Sequence, residues 1–204
     1  MTARHTLAHL ARDAKHCQRC PLYRAATQTV FGEGPDNARV ILVGEQPGDQ
    51  EDLQGRPFVG PAGKMLDRAL ADAGVDRAHV YVTNAVKHFK FEPRGKKRLH
   101  KKPDTREIEA CKWWLDQELD AIKPDLTVAL GATAARALAG RAITIGAARG
   151  RLIELRPGLQ GLVTIHPSFL LRLPDPAAKA REYRRFVEDL RLIAEHVPAV
   201  RLAA

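Results

Sequence analysis

Arg39-Val40-Ile41-Leu42-Val43-Gly44-Glu45-Gln46-Pro47-Gly48 is the stretch that decides the fold. Its β-branched apolar run reads as a buried strand, and that strand breaks directly into a tight glycine-proline loop. The same pattern recurs downstream. His79 to Asn84 is a second run of this kind, Asp125 to Leu130 a third that stops at Gly131, and Leu162 to Ile165 a fourth that breaks at His166-Pro167. Segments of helical period lie between them. One opens near Gly63, with Met65, Leu66, Ala69, Leu70 and Ala73 at helical spacing and Gly74 as its stop. Another runs from Thr105 to Ala121, capped by Asp104 or Thr105 and ended by Pro124. An alanine-rich helix follows Gly131 through about Ala139, and a long charged one spans Pro176 to about Glu195. Arg151 to Leu155 reads as a hairpin arm.

Strands alternating with helices predict a three-layer α/β/α fold around a central, mainly parallel four-stranded sheet. Working residues in such folds sit in loops at the carboxyl ends of the strands. Glu45, Gln46, Asn84, Gly131 and His166 all fall there, so four segments can converge on one cleft.

The chain has 204 residues, enough for one domain spanning 1–204 with a full core and no disulfides. Lys and Arg number 33 against 24 Asp and Glu, a formal charge of +9 that favours phosphate-rich partners. Charge alone does not separate nucleic acid from a membrane surface. Met1-Thr2-Ala3-Arg4-His5 carries no apolar leader core, and no later run approaches the ~20 apolar residues of a membrane span. A soluble, cytoplasmic, monomeric protein without membrane association is the expectation.

Cys17, Cys20 and Cys111 make an odd count with one C-x-x-C, which argues against a disulfide framework and for a metal or redox role. Cys17 and Cys20 can share one centre and Cys111 can join from a distant helix. A fourth ligand is needed, and His88, after the strand carrying Asn84, is the best candidate. Spacing leaves zinc and iron-sulfur both open. Lys96-Lys97-Arg98-Leu99-His100-Lys101-Lys102-Pro103 sets a histidine among cations. Such runs are commonly solvated loops, but this one can hold a polyanion against a neutral imidazole. His5, His9, His16, His79 and His196 have no such context.

Glu45-Gln46-Pro47-Gly48-Asp49, Gly55 through Gly63, Thr83-Asn84-Ala85-Val86-Lys87 and Ile165-His166-Pro167-Ser168 together closely resemble the iron-sulfur uracil-DNA glycosylases of family 4. The resemblance runs from Cys17 to the C-terminal helix. The chain departs from that family in three ways: Lys87-His88-Phe89 stands where a cysteine is usual, Gln46 lies within the Gly44–Gly48 loop, and Arg94 to His100 is inserted. All three resemble the UdgX branch, whose members excise uracil and stay covalently attached to the DNA.

The resemblance implies a [4Fe–4S] cluster on Cys17, Cys20, His88 and Cys111, with uracil-containing DNA, single strands included, as substrate and uracil as product. Phe58 would stack on the extruded base, and Asn84 would pair with the uracil edge. His166 would donate to the developing uracil anion, with backbone N–H groups around Gln46 and Gly48 in support. Asp49 would position a water or face the cationic sugar. His100 would attack C1′, with Glu45 accepting its other imidazole N–H. Arg172 would tether the loop or meet a phosphate, and Lys96, Lys97, Arg98 and Lys101 would meet the DNA backbone. Two further readings stay open: a glycosylase that turns over, with His100 only contacting phosphate, and a metal-stapled DNA-binding module without chemistry.

Overall fold

The computed structural model describes residues 6–202, so the reading of Met1 to His5 lies outside the described residues. Strands β1 (Val40–Gly44), β2 (Val80–Asn84) and β5 (Leu126–Leu130) are buried at every position, as strands covered by helices on both faces must be. With β6 (Leu152–Arg156) and β7 (Leu159–Thr164) they form one sheet of order β2-β1-β5-β7-β6. Every pairing is parallel except that of β6 with β7. Gly44 pairs with Asn84 and Leu130 with Thr164, so the strands end nearly level and their following residues share one edge.

Alternate strand residues feed two cores. Ile41 and Val43 join one face with α1 (Leu7–Ala14), α4 (Thr105–Ile122) and α5 (Ala132–Ala139). Val40 and Leu42 join the other with α3 (Pro61–Asp72), α7 (Pro167–Arg172) and α8 (Pro176–His196). The three-layer architecture is as the sequence predicts. The expected four strands become five because the arm expected at Arg151 to Leu155 joins the sheet edge as β6, antiparallel to β7. Leu155 there lies over Gly161, where a Cβ would come within 2.3 Å of its side chain.

The helix boundaries agree with the sequence to within a few residues. α4 closes its N-terminus with a reciprocal cap: Asp104 accepts the Glu107 N–H at 3.0 Å and Glu107 accepts the Asp104 N–H at 2.7 Å. Helices α1, α2 (Asp49–Gln54), α6 (Ile145–Ala148) and α7 were not anticipated, nor was the hairpin of β3 (Phe91–Arg94) and β4 (Lys97–His100) formed by the basic run. Among the described residues, no helix is long and apolar enough to cross a membrane.

Candidate active site

A cleft of about 560 Å³ opens at the carboxyl edge of the sheet, and Glu45, Gln46, Phe58, Asn84, His100 and His166 all line it. Close backbone approach builds its inner wall. A Cβ on Gly44 would meet Asn84 Oδ1 at 2.3 Å and the Phe58 ring at 2.7 Å, and one on Gly63 would meet the Phe58 carbonyl oxygen at 1.7 Å. Phe58 itself is buried at φ 57°, a left-handed conformation that costs a non-glycine residue about 1–2 kcal/mol. Asn84 ends β2, is buried, and its carboxamide makes no hydrogen bond to any described residue while lining the cleft.

His166 follows β7 as the N-cap of α7. Its Nδ1 accepts the Ser168 backbone N–H at 3.2 Å and lies 2.8 Å from Ser168 Oγ, which in turn accepts from Arg172 at 2.9 Å. Nδ1 is therefore the lone-pair nitrogen and Nε2 carries the proton. Burial, reinforced by His100 and Arg172, lowers its pKa to about 4, so the ring is a neutral N–H donor at physiological pH. It stacks on Phe58 with centroids 6.2 Å apart.

The opposite wall is the β3–β4 hairpin, whose last residue is His100. Gln46 anchors it. Its Oε1 accepts the Lys90 N–H at 3.1 Å, while its Nε2 lies 3.2 Å from the Lys90 carbonyl, 3.0 Å from the Lys101 carbonyl and 2.9 Å from His100 Nε2. The amide carries two N–H bonds for these three neighbours, so the contact brings His100 Nε2 to the anchor without assigning its proton. Burial, with Arg172 adding repulsion, outweighs the attraction of Glu45 and lowers the His100 pKa below the ordinary histidine value. Glu45 Oε1 is 3.6 Å from that same Nε2. Glu45 and Gln46 thus face the same imidazole nitrogen, and Glu45 stands where it is expected, beside the His100 ring. Glu45 Oε2 accepts the hydroxyl of Thr133, a buried residue at the start of α5 that the sequence reading missed.

The basic run divides. Lys96 and Lys97 are exposed at the hairpin tip, and Lys101 is exposed with Glu92 3.3 Å away. Arg98, grouped with them as a phosphate contact, turns inward instead. It reaches Asp49 at 2.6 Å, the fully buried Asp52 at 2.5 Å and Thr27 at 3.2 Å, and lies 5.1 Å from the centroid of the Phe91 ring. Asp49, expected to handle water or sugar, accepts from that guanidinium through Oδ1 and also lines the cleft, so Arg98 docks the hairpin on α2. Gly48 donates its backbone N–H to Glu51 at 3.1 Å, and Glu51 also accepts from Gly60 at 2.7 Å, tying together the two loops of the inner wall. An acidic residue three positions after Gly48 is a capping signal that could have revealed Glu51. Arg172 is exposed at the end of α7 and lines the cleft mouth.

Cys17, Cys20, Cys111 and His88 are all buried. Trp114 Nε1 donates to Cys17 Sγ at 3.1 Å and the Lys87 N–H to Cys111 Sγ at 3.1 Å. Burial pushes the Cys111 thiol up to about 12 and raises that of Cys20. His88 carries the telling detail. Thr29 donates its hydroxyl to the Ala14 carbonyl at 2.8 Å, so it accepts from His88 Nε2 at 2.9 Å, and Nδ1 is left with a buried lone pair that no described group satisfies. A neutral imidazole fixed through one nitrogen and bare at the other is how a histidine ligand is presented. Among the described residues, no three His, Cys, Asp or Glu side chains lie close enough to hold a single metal ion. Beside these residues, Lys87 and Glu118 form a fully buried ion pair 2.5 Å apart, completed by Thr83 and Tyr81, that joins β2 to α4.

Fold and site define an α/β protein whose pocket, at the carboxyl edge of its sheet, opposes an amide, a stacking ring and a neutral imidazole to a second imidazole on a hairpin. Residues 31–191 match the uracil DNA glycosylase superfamily, and the chain belongs to it. It is 38% identical to a type-4 uracil-DNA glycosylase of Thermotoga maritima over 89% of both chains. It is 39% identical to one of Pyrobaculum aerophilum, over 78% of this chain and 82% of that one. A type-5 uracil-DNA glycosylase of Pyrobaculum aerophilum is 30% identical over 75% of this chain and 78% of its own length.

Proposed function

We propose that this protein is a uracil-DNA glycosylase of the iron-sulfur type that cleaves the N-glycosidic bond of deoxyuridine in DNA and ends covalently joined to the sugar through His100. The observation that carries the covalent step is the His100 imidazole, its pKa below the ordinary histidine value, set beside Gln46 and Glu45 at the cleft that Asn84, Phe58 and His166 line. The type-4 and type-5 relatives support the glycosylase activity itself.

The chemistry follows from these groups. The uridine leaves the base stack, its ring lies on Phe58, and the Asn84 carboxamide pairs with the uracil edge. Cytosine presents the reversed donor and acceptor and would strand a buried amide. As the C1′–N1 bond lengthens, its electron pair moves onto the base and positive charge grows on the sugar. His166 Nε2–H donates to the uracil oxygen that takes up this charge. A preorganised donor of this kind is worth roughly 3–4 kcal/mol in the transition state. Glu45 faces the cationic sugar.

The lone-pair nitrogen of the His100 imidazole then forms a bond to C1′, uracil departs as an anion that takes a proton, and the alkylated imidazolium gives up the proton on its other nitrogen. Lys96, Lys97 and Lys101 meet phosphates, and Arg172 flanks the mouth. A [4Fe–4S] cluster on Cys17, Cys20, Cys111 and His88 Nδ1 would serve as a structural staple joining the N-terminal segment, the chain after β2 and α4.

A denaturing gel tests the reading. Purified protein, carrying iron and acid-labile sulfide, should give an SDS-resistant species with a uracil-containing single strand and none with thymine. His100→Ala should lose that species while still releasing uracil. An undiminished adduct from the variant, or mass spectra placing the sugar on another peptide, rejects His100 as nucleophile. Release without any adduct from the wild type leaves the turning-over glycosylase in its place.

A further inference from the structure

A second cavity, of about 420 Å³, adjoins the uracil cleft. The two share Glu45, His100, His166 and Arg172, so the proposed nucleophile stands at their junction. Beyond those residues the second cavity takes a different character, lined by Lys102, Ile145 and Phe169. The short helix α7 serves both: Leu171 lines the first and Phe169 the second. Phe169 is 37% exposed and Leu171 40%, two of only seven large apolar side chains so exposed among the described residues. The mechanism leaves Phe169, Ile145 and Lys102 without a task.

A strand whose sugar is bonded to His100 continues from that point, and its next nucleotide is one phosphate away. The uracil cleft is already filled by the base. A cavity lined by an exposed aromatic ring, the apolar Ile145 and Ile165 and the exposed cations Lys102 and Arg172 matches what a neighbouring nucleotide carries: a π-face and a phosphate.

Resting on the uracil-DNA reading, we propose that this second cavity is a subsite for the nucleotide adjoining the uridine on the same strand, its base stacked on Phe169 and its phosphate met by Lys102 and Arg172. Because stacking accepts any base, the subsite recognises a neighbour without reading its identity. It also favours single strands, in which that neighbour is free of a pairing partner.

Binding measurements on the intact protein decide it. The probes are single strands containing 2′-fluoro-2′-deoxyuridine, whose glycosidic bond resists cleavage, with either normal neighbours or an abasic spacer placed 5′ or 3′ of the uridine. Wild-type protein should lose about five- to tenfold in affinity when the spacer sits on one side. Phe169→Ala should show a similar loss on the intact strand and no further loss with the spacer, whereas Phe169→Trp should bind as wild type does. Equal spacer penalties in wild type and Phe169→Ala, or no penalty on either side, would overturn the subsite. A wild-type protein that binds the uridine and thymidine strands equally would overturn the uracil reading itself, a result distinct from loss of coupling.

Discussion

The two walls of the cleft are held by different forces. The inner wall, with Phe58, Asn84 and His166, is set by backbone: level strand ends, a left-handed Phe58 and glycines that admit no Cβ. The hairpin wall is an exposed two-stranded ribbon, and two-stranded ribbons are marginal by themselves. It is fastened by the Gln46 amide and by Arg98 on Asp49 and Asp52. The groups proposed to recognise and release the base therefore sit on backbone-fixed structure, and the group proposed to capture the sugar sits on a part that polar contacts hold in place. The two halves of the reaction should be separable by mutation.

The largest effect should come from the inner wall. His166→Ala removes a donor that acts as charge develops, so single-turnover uracil release should slow by about a hundredfold or more while DNA binding changes little. A wild-type rate from this variant would move base activation elsewhere and erase the distinction between the walls.

Arg98→Ala should act on the other wall alone. Losing the guanidinium strands the buried Asp52 carboxylate, which keeps only the Thr27 N–H at 3.0 Å. The expected loss is roughly 2 kcal/mol, less than for a fully buried pair because water reaches Arg98, and thermal unfolding should fall by about 4–8 °C. Adduct formation should slow about tenfold and uracil release much less. Equal slowing of both would show that the hairpin also governs base cleavage.

The smallest effect is that of pH. Both histidines are proposed to work as neutral rings, and both have pKa values below the ordinary one, His166 at about 4. Adduct formation should therefore stay flat down to about pH 6.5 and decline only below it. Stability moves the same way. The unfolded chain takes up protons on these histidines near pH 6.5 while native His166 waits until about 4, so unfolding is favoured progressively as pH falls through that interval. His166→Gln should flatten part of that slope in thermal scans, and an unchanged slope would mean that other groups carry it.

Much of the architecture was readable from local pattern. The runs at Val40, Val80, Leu126 and Leu162 are strands because β-branched residues cluster there and Gly or Pro ends them, and the site residues follow because loops at strand ends are where such sheets converge. The cysteine spacing and the histidine among cations were visible for the same reason. β6 was harder, since its exposed Leu152 and Glu154 give no buried signature until β7 is beside it.

The amino-acid sequence by itself determined the layered fold, the residues that meet at the sheet edge and the donor types of the buried cluster, because propensity, periodicity and turn chemistry act over a few neighbours. Only the tertiary structure decided which cations are spoken for and which histidine nitrogen is bare. Arg98 and Asp52 are 46 residues apart, Thr133 and Glu45 88, and Glu118 and Lys87 31. The sign of a charge says nothing about which distant partner will desolvate it; packing brings those groups together and burial sets their protonation.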